Sequence, residues 1–121
     1  VFNGEWLEEG THINAIGACH GGGRKELDST TVKRSKVIID QREACLEEAG
    51  GIIDAIADGV ITEDHIYAEL GELVMGQKKG RTNKNEITLF KSVGLGIQDV
   101  ATAKMIYEKA KSKNIGVSVP F

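Results

Sequence analysis

Short β-branched, apolar runs alternate along this chain with polar segments of helical character, and that alternation constrains the fold more than any other feature. Residues 11–17 (THINAIG) read as a buried strand that stops at glycine. Residues 36–40 (KVIID) are β-branched and flanked on both sides by polar helix, which predicts a short parallel strand. Residues 86–90 (EITLF) predict another. Between them, Asp28 offers an N-cap for a helix to about Arg34. A second helix is predicted from Gln41 to about Ala49, broken by Gly50-Gly51, and a third piece over residues 51–58. Thr62 is placed to cap a helix with Glu63 and Asp64 in its first turn, whose residues 66–75 put Ile66, Leu70, Leu73 and Val74 on one face. Gly76 stops it, and residues 77–85 form a polar loop. The longest helix begins near Gly94 and runs to about Lys113, with Ile97, Val100, Ala103, Tyr107 and Ala110 as its apolar face. Residues 115–119 (IGVSV) predict a last strand, and residues 1–10 a leading loop anchored by Trp6 and Leu7.

Alternation of this kind predicts an α/β fold with parallel strands. Ligands in such sheets bind outside the carboxyl ends of the strands. Three exits therefore draw interest: Gly17-Ala18-Cys19, Asp40-Gln41 and Lys91-Ser92-Val93-Gly94.

Composition narrows the function classes. The 121 residues suffice for one core, and 40% apolar with 27% charged is ordinary for a soluble globular protein. A net charge of -3 gives no footprint for nucleic acid or an anionic membrane. Lys78, Lys79, Arg81 and Lys84 read as a solvated loop. No apolar run reaches membrane-span length and no signal peptide is evident. Cys19 and Cys45 suggest free thiols, hence a cytoplasmic location. The chain opens at Val1 without Met and is expected to be a piece of a longer polypeptide.

Local chemistry is less informative. Gly17, Gly21, Gly22 and Gly23 do not fit the dinucleotide fingerprint and read as a turn that lets backbone approach a ligand. Cys19 and His20 are adjacent, so on an extended chain they point apart and do not pair. His12, His20 and His65 lack metal-ligand spacing, and no metal is expected. Glu43 and Glu47 read as a solvated face, from which spacing does not separate Glu48.

An ordered set of motifs is more specific. It comprises GEWL (4–7), GTHINAIG (10–17), ELD (26–28), VIID (37–40), EAG (48–50), ELGEL (69–73) with Gly76, Gly80-Arg81, and EITLFKSVG (86–94) with Asp99. In this order they resemble the ornithine cyclodeaminase/mu-crystallin family over nearly the whole chain. The resemblance implies the C-terminal half of a Rossmann-type dinucleotide-binding domain, residues 1–93. Residues 94–121 would be a long helix and strand returning to an N-terminal substrate and dimerisation domain. Residues 11–17 and 36–40 would be the fifth and sixth Rossmann strands. The glycine fingerprint and the ribose-reading residues would lie upstream, so this stretch by itself is not expected to be active.

Position by position, the resemblance implies that Ile16 packs on NAD or NADP and that Lys91, Ser92, Val93 and Gly94 surround its nicotinamide end. Cys19 and Glu48 would face substrate, and catalytic residues stay unassigned. Deaminating members carry aspartate at position 19, and a largely protonated thiol is a poor substitute. The family activity implied is therefore reduction of a cyclic ketimine such as pyrroline- or piperideine-2-carboxylate by a homodimer. Ornithine cyclodeamination, a related amino-acid dehydrogenation, and NADP-dependent small-ligand binding are the alternatives.

Overall fold

The computed structural model describes residues 2–17, 25–117 and 119. Four strands form one sheet: β1 (His12–Ala15), β2 (Lys36–Ile39), β3 (Ile66–Glu69) and β4 (Thr88–Lys91). They are ordered β1-β4-β2-β3, and every pair is parallel. The last strand in sequence thus lies between the first two. Thr88 stands opposite His12 on one side and Lys36 on the other, and Lys91 stands opposite Ala15 and Ile39. All the carboxyl ends emerge along one edge, as the parallel arrangement requires.

Around the sheet run α1 (Ser29–Arg34), α2 (Arg42–Glu48), α3 (Gly50–Ala57), α4 (Leu70–Val74) and α5 (Gly96–Ser112). Helix α1 starts where its sequence signal lies, with the Asp28 carboxylate accepting from Thr31 N at 2.7 Å and from Gly4 N at 2.8 Å. Arg34 returns to the carbonyl of Leu7 at 3.0 Å and that of Gly4, so the leading segment is fastened to α1 at two points. The core is Val37 and Ile39 of β2, Leu89 of β4, Val32, Cys45, Ile52 and Ala55. Each large aliphatic side chain buried there contributes about 1.5–3 kcal/mol.

Six expectations are corrected. Residues 66–75 are not one helix: Glu63–His65 form a 3₁₀ turn, Ile66–Glu69 a strand, and only Leu70–Val74 an α-helix. Ile66 and Ala68 are buried at a spacing of two and pair with β2, and this contact overrides the helical periodicity. Thr62 makes no side-chain cap bond. Gly50-Gly51 does not break a helix but opens α3, and the bend is at Ala49 (φ -83°, ψ 79°). Gly51 is needed for close approach, since a Cβ there would stand 2.9 Å from the Leu27 carbonyl oxygen. Ile115, Gly116 and Val117 form no strand. β1 is an edge strand with only Ala15 fully buried, and Trp6 is 74% exposed rather than packed as an anchor.

Helix α5 begins at Gly96 and buries none of its residues. Ile97, Val100, Met105, Ile106 and Tyr107 are all exposed. No helix among the described residues is long and apolar enough to cross a membrane.

Candidate functional site

The exits of β1, β2 and β4 meet at the carboxyl edge, and two ionic clusters tie them together. The first is centred on Asp40, directly after β2. One carboxylate oxygen accepts from Ser92 Oγ (2.7 Å), Val93 N (3.0 Å) and Gly94 N (3.2 Å). The other accepts from Gln41 N (2.9 Å) and Cys45 Sγ (3.2 Å). Burial raises the Asp40 pKa, but the bonds from Ser92, Cys45, Val93 and Gly94 outweigh it and hold the carboxyl below its ordinary value. Burial and the neighbouring carboxylate push the Cys45 thiol up to about 12. Cys45 is thus a buried, protonated donor, and Asp40 an ionised acceptor.

The second cluster is centred on Lys91. Its side chain is only 3% exposed, and Nζ lies 2.8 Å from Glu26 Oε2. The same ammonium donates to the Gly17 carbonyl. Glu26 accepts in turn from Gly17 N at 3.1 Å. Both main-chain polar groups of Gly17 are therefore taken by one ion pair, which fastens the exit of β1 to β4. Ser92 N adds a bond to the Ala15 carbonyl at 2.9 Å.

The expected site residues separate on this frame. Ser92 and Val93 are buried in the turn after β4. Gly94 is exposed, and its φ of 86° is the left-handed conformation that favours glycine. Ile16 is 72% exposed at the end of β1. The Lys91 side chain runs inward to Gly17 and Glu26. Glu48 is exposed and closes α2, about 10 Å of helix rise from Gln41. The arrangement thus brings together β1, β2 and β4 and leaves Glu48 apart. Cys19 lies outside the described residues.

Asp40, singled out only as a strand exit, and Glu26, given no role, are the organising residues. Both stood in quoted motifs, yet their partners are distant in sequence: Asp40 meets residues 52–54 positions on, and Lys91 lies 65 beyond Glu26. The legible signal was an aspartate at the end of a β-branched strand, where unpaired N–H groups of a neighbouring turn converge.

Ile16 leaves apolar surface exposed at this edge, beside the buried turn of Ser92 and Val93. The edge is poorly suited to phosphate at the start of α2, because the Asp40 carboxylate already occupies that helix end and repels a second anion.

The family model described as ornithine cyclodeaminase/mu-crystallin family matches residues 1–114. Among curated relatives, an alanine dehydrogenase from Archaeoglobus fulgidus is 48% identical over 121 residues, which are 100% of this chain and 37% of that protein. A solved structure of Thermococcus litoralis delta(1)-pyrroline-2-carboxylate reductase, in complex with NADH and L-proline, is 54% identical with a TM-score of 0.85. It covers 96% of this chain and 36% of its own. An archaeal alanine dehydrogenase dimer with bound NAD has a TM-score of 0.78 at 48% identity, over 97% of this chain and 36% of that one. The chain thus spans a little over a third of the relatives it matches, and its sheet corresponds to part of their dinucleotide-binding fold.

Proposed function

The chain belongs to the ornithine cyclodeaminase/mu-crystallin family, and from that membership we propose that the whole protein is an NAD(P)-dependent reductase of a cyclic ketimine such as pyrroline-2-carboxylate. The observation that carries this reading is the likeness to the Thermococcus litoralis reductase, whose structure holds NADH and L-proline. Proline is what addition of one hydride and one proton to the C=N bond of pyrroline-2-carboxylate yields. In this reading residues 1–93 complete the dinucleotide-binding domain, and residues 94–121 pack on a substrate and dimerisation domain of a cytoplasmic homodimer. The unburied apolar face of α5 supports that division.

The residues present fit the nicotinamide half of such a cofactor. Ile16 offers exposed apolar surface at the end of β1, and Gly94 leaves open space, with no atom within 4 Å of where a Cβ would stand. When bound, reduced nicotinamide supplies the hydride. The chain's own contribution is position: Ser92, Val93 and Gly94 shape one wall, Ile16 packs against the ring and excludes water, and Cys19 shapes the substrate side without moving a proton. Holding the donor and acceptor carbons in line is the larger part of what such a reaction requires of the protein. Glu48, remote from these exits within the described chain, reaches substrate only if the rest of the polypeptide brings it near the end of α2.

The likeness to alanine dehydrogenases favours one second reading, reductive amination of pyruvate through an acyclic imine. Steady-state oxidation of NADH and NADPH by the complete protein tests both, with pyrroline-2-carboxylate, with pyruvate plus ammonia, and with ornithine as the cyclodeaminase control. Turnover of the cyclic imine at a kcat/KM at least about tenfold above pyruvate plus ammonia is expected. The reverse ranking refutes the reductase reading, and proline released from ornithine replaces it with cyclodeamination.

A further inference from the structure

We infer that Asp40 is the positioning residue of the cofactor wall: its carboxylate fixes the Ser92–Gly94 turn against the start of α2 and so sets where the nicotinamide end can sit. This rests on the proposed cofactor role of that turn.

After β4 the chain leaves the sheet, and Val93 N and Gly94 N have no ladder partner there. Both are taken by the same oxygen of Asp40, with Ser92 Oγ as a third donor at 2.7 Å. Ser92 Oγ also accepts from Gly94 N at 3.2 Å, which closes the turn on itself. The second oxygen is committed elsewhere, to Gln41 N at the start of α2 and to the Cys45 thiol. Asp40 N meanwhile donates to the Lys91 carbonyl at 3.2 Å, so backbone and side chain of one residue bracket the β4 exit. Five donors leave the carboxylate fully engaged. It is therefore no general base and no ligand for a cation. A neutral side chain cannot replace it: an amide offers one acceptor oxygen, and its NH₂ would face either the three turn donors or the Gln41 N–H.

The consequence is specific. Loosening this carboxylate should move the turn, and with it cofactor affinity and hydride alignment, while the rest of the sheet stays formed. In the complete protein, Asp40→Asn is expected to raise the Kd for NADH or NADPH at least about tenfold and to lower kcat, with the imine KM within about twofold. Amide exchange at Val93 and Gly94 should accelerate with or without cofactor. Asp28→Asn is the control for a purely structural effect, since it weakens the start of α1, which lies outside the three exits. It should lower the melting temperature and leave both readouts unmoved. If Asp40→Asn fails to fold, Ser92→Ala removes a single donor and should raise the cofactor Kd about threefold with faster exchange at Gly94. Unchanged exchange at Val93 and Gly94 in whichever Asp40 or Ser92 variant folds overturns the inference. So does a Kd change no larger than that of Asp28→Asn. Failure of the proposed function looks different: the parent protein itself would bind no nicotinamide cofactor, while the exchange effect of Asp40→Asn persisted.

Discussion

The Lys91–Glu26 pair makes a sharp energetic prediction, because its two members are buried to different extents. Lys91 is 3% exposed and Glu26 32% exposed, with 2.8 Å between them. Removing Glu26 (Glu26→Ala) leaves an ammonium group enclosed in the fold with the Gly17 carbonyl as its remaining partner, and it also frees Gly17 N. Breaking a fully buried pair in this way costs about 3–5 kcal/mol. Partial access of water to Glu26 lowers that to about 2–3 kcal/mol. Removing Lys91 while filling its volume (Lys91→Met) leaves a carboxylate that water can reach and that still accepts from Gly17 N, so the cost should be about 1 kcal/mol. The double variant Lys91→Met/Glu26→Gln should fall near the Lys91 variant, because the stranded charge is gone. Urea unfolding followed by far-UV circular dichroism at low protein concentration reads all three. A Lys91→Met cost larger than that of Glu26→Ala would refute the reasoning, since the penalty would then be lost attraction and not a stranded buried charge.

Gly51→Ala should destabilise by about 1–3 kcal/mol, because its Cβ meets backbone at Leu27, and an unchanged urea midpoint would show that α3 can move away. Cys45, with its pKa pushed up to about 12, should resist alkylation in the native state at about pH 8 and react only on unfolding, as mass spectrometry of iodoacetamide-treated protein would report. Asp28 and Asp40 both titrate below their ordinary value of 3.8 when folded, Asp28 because the bonds from Thr31 and Gly4 outweigh its burial. Their stabilisation is therefore complete above that value and is lost as pH falls through the folded pKa values, so unfolding free energy should be level down to about pH 5 and decline below it; Asp40→Asn should make that acid decline shallower.

Much of the frame was legible because local and tertiary preferences agree. Asp28 caps α1 where a cap was predicted, β2 and β4 fall within residues 36–40 and near residues 86–90, and the last strand exit closes on the first two. Legibility failed where a tertiary partner overrode a local pattern. Ile66 and Leu70 are four apart and satisfy a helix, yet Ile66 and Ala68 satisfy a strand equally well, and only the presence of β2 beside them decides. Ile115 and Val117 are β-branched, but no neighbouring strand accepts them here. The site was legible as a place, the strand exits, and not as a mechanism of assembly. Asp40 and Glu26 derive their meaning from residues more than fifty positions away, and spacing along a chain does not encode that.

The central place of β4 also has a meaning in time. β1 and β2 share no ladder with each other; each is bonded to the strand made last, and His12 waits 76 residues for Thr88. As the chain leaves the ribosome, β2 can pair with β3, but β1 has no described partner until residue 91 has emerged. Pairing over such a separation is entropically slow. A ribosome pause or a truncation just before residue 88 would therefore do more than shorten the protein. It would leave the facing edges of β1 and β2 unpaired and ready to pair with another chain, whereas one placed after Gly94 would release β4 already seated between them.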